Sequence, residues 1–173
     1  MNDTQLITDL FGAYYHARQN KRNTINQLKF ELNFESEIFK LHHEIESRAY
    51  QPLREIAFIV NKPVKREIFA ADFRDRVVHH LLFGYLEPII GKQLIHDCYS
   101  CRKGKGTSSG IQRAAKFLRS CSDNYQKDCY IMQMDISGYF MSINRELLYR
   151  KVNAMLKREY EKCALSGKVI PFE

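Results

Sequence analysis

The segment Cys129-Tyr-Ile-Met-Gln-Met-Asp135-Ile-Ser-Gly-Tyr-Phe140 constrains this chain more than any other stretch. Its β-forming residues predict a strand over Cys129–Met134, and that strand delivers a single carboxylate, Asp135, to its end. A carboxylate at the mouth of a buried strand is costly unless a cation meets it, and a divalent metal is the usual solution. Many cations precede Asp135, whereas no matching cluster of carboxylates follows it. That asymmetry points to half of a phosphate-handling site.

Helical periods open the chain. Leu6, Leu10, Ala13 and Ala17 recur on one face, and Asn20–Asn23 breaks the pattern. A second helix is expected from about Asn26 to Ala49, with Ile38, Leu41, Ile45 and Ala49 as its apolar stripe and Pro52 as its stop. His42 and His43 are adjacent on it and point to different sides, so a shared metal is not expected.

The period then changes. Ile56–Val60 and Arg66–Ala70 are short runs of β-branched and aromatic residues joined by Asn61–Lys65, which predicts a β-hairpin with Lys62, Lys65 and Arg66 at its tip. Taken alone, such a tip reads as a lysine-protected edge. Asp72-Phe-Arg-Asp75 has the form of a capping box with aspartate in place of glutamate. It predicts a helix with an apolar face from Val77 to Leu86, closed by Pro88. Arg74 and Arg76 lie in its first turn against the helix dipole; cations so placed usually have an external or carboxylate partner, which makes both candidate phosphate contacts.

Tyr99-Ser-Cys-Arg102-Lys103-Gly-Lys105-Gly106-Thr-Ser-Ser109 is a glycine-interrupted basic loop leading into a helix. Gly106 follows Lys105 where a P-loop requires serine or threonine, so Arg102, Lys103 and Lys105 are better matched to a nucleic-acid backbone than to a nucleoside triphosphate. A solvated turn is the plainer alternative. A long amphipathic helix is expected from Arg145 to Lys162, and Val169–Phe172 reads as extended.

Lys+Arg 27 against Asp+Glu 20 gives a net charge of +7, which favours a polyanionic partner. No apolar run reaches bilayer-spanning length, and Met1-Asn-Asp-Thr-Gln-Leu6 is not a signal peptide, so a cytoplasmic protein without membrane contact is expected. Five cysteines without secretory features argue against a disulfide framework. Cys98-Tyr-Ser-Cys101 has the spacing of a zinc half-site, with Cys121 and Cys129 as conceivable partners, but small thiols more commonly fill cores.

Three ordered stretches, Arg66–His79, Tyr99–Gly104 and Met134–Phe140, together resemble the N-terminal half of bacterial reverse transcriptases of the diversity-generating retroelement and group II intron types. The resemblance covers about Ile56 to Val152. It implies an α+β fold: mostly helical fingers with a β-hairpin, then the first strand and helix of a right-hand polymerase palm. The division would be an N-terminal helical region over residues 1–54, fingers over 55–126 and an incomplete palm over 127–173. It implies further that Asp135 and the backbone carbonyl of Ile136 bind two Mg²⁺ ions in the intact enzyme, and that Phe140 gates against the ribose 2′-hydroxyl. Arg66, with Lys65 or Lys62, would contact the triphosphate, and Tyr139 would also belong to the nucleotide site.

The implied partners are an RNA template, a DNA primer, deoxynucleoside triphosphates and an accessory protein of the retroelement. The family's aromatic-x-Asp-Asp motif and thumb have no counterpart here, so the chain is expected to be a fragment that alone binds no metal pair and is inactive. The alternatives are a non-catalytic RNA- or DNA-binding module, and a structural domain in which Asp135 merely caps a turn.

Overall fold

The structure, a computed structural model, describes residues 3–19, 24–62 and 65–166. Among them are the helices α1 (Asp3–Arg18), α2 (Ile25–Glu31) and α3 (Phe34–Glu46), the strands β1 (Ile56–Val60) and β2 (Arg66–Ala70), and the helices α4 (Phe73–Gly91), α5 (Thr107–Cys121), α6 (Tyr139–Ser142) and α7 (Arg145–Ser166). The class is α+β: mixed helices with one small two-stranded antiparallel sheet. The chain divides into two compact units, the first ending at Pro88 and the second beginning at Ile89. No described helix is long and apolar enough to cross a membrane.

The first unit holds the core. The stripe Leu6, Leu10, Ala13 and Ala17 is buried as its spacing predicts, against Phe30, Ile38, Leu41, Phe73 and Val77. Aromatic rings order this interior. Tyr14 stacks on Phe34 at 5.0 Å between centroids, and Phe30 meets Phe73 edge-on at 5.3 Å. Arg18 pairs with Glu31 at 2.8 Å, and the Tyr85 hydroxyl donates to Asp9.

Four expectations need correction. The single helix over 26–49 is two helices, because Asn33 leaves helical geometry at φ −135° and ψ 37°. The second of these stops at Glu46, well before Pro52. Arg48 adopts φ 58°, the amide of Ala49 donates to Glu44 O at 2.8 Å, and that of Arg48 donates to Ile45 O at 3.1 Å. This is a Schellman cap built without glycine, and so without its usual sequence signal.

Pro88 does not close α4, which continues to Gly91. Proline lacks only its own amide, so the loss is confined to the bond with the carbonyl one turn back, and the following amides still donate. Finally, Cys129–Met134 is not a strand: residues 128–136 have no regular structure. A strand exists through bonds to a neighbour, and the described sheet contains only β1 and β2. The breaker at 20–23, Pro63 and Val64 of the hairpin turn, and Val169–Phe172 lie outside the described residues.

The hairpin, α5 and α7 lie where the residue patterns place them. β1 and β2 pair antiparallel from Ile56↔Ala70 to Val60↔Arg66. Their side chains are largely exposed, so the hairpin is held by its own ladder more than by burial.

Asp75 is the buried polar centre of the first unit, 2% exposed. It accepts the Tyr50 hydroxyl and the Leu53 amide, each at 2.8 Å. Asp75→Ala should cost about 3 kcal/mol of stability and Tyr50→Phe about 1 kcal/mol in urea denaturation at neutral pH. Desolvation, reinforced by the bond to Asp75, raises the Tyr50 phenol above its ordinary value of 10.0. The folded state therefore favours the neutral phenol, and that contribution should be lost as pH rises above about 10, but not in Tyr50→Phe. Arg48→Gly should stabilise by about 1 kcal/mol, since glycine carries no penalty at positive φ.

Candidate functional site

Each group of predicted contacts sits in a different local setting. At the hairpin, register places Arg66 opposite Val60 at the turn end of the ladder, with Lys62 and Lys65 beside it in the chain. All three are exposed, and none is ion-paired with a carboxylate among the described residues. Their charges face water.

The first turn of α4 is organised differently. Asp72 caps it: its Oδ1 accepts the Arg74 amide at 3.0 Å, and its Oδ2 accepts Asn26 Nδ2 at 3.0 Å. Asp75, at the third helical position, is turned instead to Tyr50 and Leu53, so only half of the predicted box forms. Arg74 is 11% exposed and held by Glu44, by the Gln51 carbonyl at 3.3 Å and by the face of Tyr50 at 5.2 Å. The cation set against the helix dipole thus has its carboxylate within the fold. Arg76 lies over the Phe73 ring at 6.0 Å and is partly exposed.

The basic loop belongs to the second unit, and most of its charge is turned inward. Arg102 donates to the carbonyls of Gly91, Ile95 and Cys98 at 3.3, 3.2 and 3.5 Å. It acts as a rivet between the end of α4 and the loop. Lys105 donates to the His96 carbonyl and lies 5.3 Å from the Tyr99 ring. Lys103 is exposed.

Spacing gave no sign of the cluster beneath this loop. Asp97 accepts the Tyr99 hydroxyl at 2.8 Å and Arg113 Nε at 3.0 Å, and the Arg113 guanidinium lies 4.4 Å from the Phe117 ring. A loop aspartate, a tyrosine two residues on and an arginine on the next helix share no period, so only the folded loop brings them together.

Asp135 stands on the exposed stretch that leads to α6. Its Oδ1 accepts the amide of Ile136 at 2.8 Å. Gly138 then takes the left-handed conformation, φ 60° and ψ 27°, and turns the chain into α6. Tyr139 and Phe140 follow at once, their rings edge-on at 5.3 Å and Phe140 85% exposed. One carboxylate, its neighbour's carbonyl and two rings are thereby gathered within six residues.

Hard oxygen donors of this type suit Mg²⁺. Among the described residues there is no group of three or more His, Cys, Asp or Glu that could hold a metal. The nearby Cys121 thiol, with desolvation, raises the Cys129 thiol above its ordinary value.

No protein-family model matches this chain, and no curated protein matches it.

The hydrogen bond from Tyr99, then that from Arg113, lowers the Asp97 carboxyl from 3.8 to about 2. A depressed carboxyl stabilises the fold above its ordinary value, and that contribution is lost as pH falls from 3.8 towards about 2. An NMR titration of the Asp97 side chain should give a midpoint near 2 in the native chain. In Arg113→Ala it should move back towards 3.8.

Proposed function

We propose that this chain supplies the fingers and the opening palm segment of an RNA-directed DNA polymerase of a bacterial retroelement. The order of the three stretches Arg66–His79, Tyr99–Gly104 and Met134–Phe140 carries the proposal. The solvent-facing cations of the hairpin and the grouping of Asp135 with Tyr139 and Phe140 support it. Residues 1–54, 55–126 and 127–173 would be the N-terminal helical region, the fingers and the start of the palm of a cytoplasmic enzyme.

In such a polymerase a primer 3′-hydroxyl attacks the α-phosphate of a deoxynucleoside triphosphate, and pyrophosphate leaves. Two Mg²⁺ ions provide the charge stabilisation for this in-line transfer in the intact protein. Asp135 would contribute one carboxylate to their site, beside the backbone carbonyl of Ile136. Arg66, with Lys65 or Lys62, binds the triphosphate, where a planar guanidinium can meet two oxygens at once. Phe140 would gate against the ribose 2′-hydroxyl, with the Tyr139 ring edge-on to it at 5.3 Å. An RNA template and DNA primer are the macromolecular partners, with a retroelement accessory protein beside them.

A non-catalytic RNA-binding module is the second reading. It is favoured by one observation: the amide of Ile136 is the hydrogen-bond partner that Asp135 holds among the described residues.

Primer extension on an RNA template separates the two. The 173-residue chain alone should not extend a primer. The gene's full product should, with a loss of about 10³-fold in Asp135→Ala and a nucleotide KM raised about tenfold in Arg66→Ala. Full product that binds RNA but never extends a primer, or extension indifferent to Asp135→Ala, would overturn the polymerase assignment.

A further inference from the structure

The second unit contains a groove that plays no part in the site above. It has a volume of about 620 Å³ and lies between the residues just after α4 and one face of α7. Lys92 lines one side, and Lys151, Arg158 and Lys162 line the other, with Met155 in its floor. Glu159 is the one carboxylate in the described lining, and Lys162 already pairs with it at 2.8 Å. That bond, together with the fields of Lys162 and Lys92, lowers the Glu159 carboxyl below its ordinary value.

Residues 151, 158 and 162 are separated by seven and four positions, so they fall within about 40° of one another around the helix. They run along it for roughly 16 Å at 1.5 Å per residue. Lys92, Lys151 and Arg158 have no carboxylate partner among the described residues, whereas Arg150, next to Lys151 on α7, is neutralised by Glu146.

A single phosphate would occupy one end of such a row. One nucleic-acid strand presents a phosphate every 3.4 Å or so along a duplex, about five over this length. None of the described lining residues is aromatic, so nothing in the groove offers a stacking platform for bases. We propose that the α7 groove is a sequence-independent binding site for a nucleic-acid phosphate backbone, with Lys92, Lys151, Arg158 and Lys162 as its contacts. Its lining includes no residue of the hairpin or the basic loop, nor Asp135, and it does not depend on the polymerase assignment.

The test is fluorescence anisotropy of the whole chain with a labelled single-stranded RNA of about 30 nucleotides, titrated across about 0.05–0.3 M KCl. Lys151→Gln with Arg158→Gln should weaken binding about tenfold near 0.1 M salt and flatten the log–log salt slope by about 1.4, two single-strand phosphate contacts. Glu159→Gln should tighten binding. Lys116→Gln with Arg119→Gln, on α5, removes the same net charge and should leave affinity within about twofold. RNAs of unrelated sequence should bind alike.

An unchanged slope in the α7 pair overturns the proposal. So does an equal loss in the α5 pair, which would mean a diffuse field, or weaker binding in Glu159→Gln. Charge-dependent binding to phosphatidylserine vesicles without RNA binding would assign the groove to a membrane surface instead. Binding is the only readout, so a failure of primer extension leaves this result untouched.

Discussion

A buried carboxylate, Asp75, holds the first unit in its particular form. An ionised group at 2% exposure is tolerable only if its lone pairs are met, and here a phenol, a backbone amide and the Arg74 guanidinium meet them. Those partners come from the first turn of α4 and from residues 50–53, the stretch that runs from the end of α3 towards β1. Arg74 extends the same network to Glu44 on α3. The route of the chain into the hairpin is therefore specified by polar geometry, while the apolar faces of α1, α3 and α4 supply the bulk of the burial.

The basic residues divide by the same logic. Arg74, Arg102 and Lys105 are spent on the fold's own oxygens, as ion pair or as carbonyl rivets. Lys62, Lys65, Arg66 and Lys103 face water. A net charge of +7 therefore overstates the cation available to a ligand along some stretches and understates it along others. The α7 groove is a case of the second kind, where residues unremarkable in the sequence converge with Lys92.

Where local residue patterns set the extent of an element, the sequence was legible. The α1 stripe, the two hairpin strands and the long helix α7 all fall where residue spacing places them. The endings were not legible. Asn33 interrupts a helix through a conformation that many residue types can adopt, Arg48 ends one in the left-handed region without the glycine that usually marks it, and Pro88 sits inside a helix that survives it. The stretch 129–134 has the composition of a strand and no neighbour to make it one. Of the candidate site, the residues show a carboxylate, Asp135, with the aromatic pair Tyr139 and Phe140 just behind it, and the role of Ile136 is what the resemblance implies.

What the residues determined by themselves were local quantities: which faces are apolar, which runs prefer an extended backbone, and where a carboxylate stands beside an aromatic pair. These depend on neighbours a few positions away, and a linear chain records them directly. Tertiary structure decided which charges are consumed. The partners of Arg74 and Arg102, the Asp97–Tyr99–Arg113 cluster and the four cations of the α7 groove are set by folded geometry. Whether a cation is neutralised or left free depends on distances of a few ångströms, and only the fold sets those.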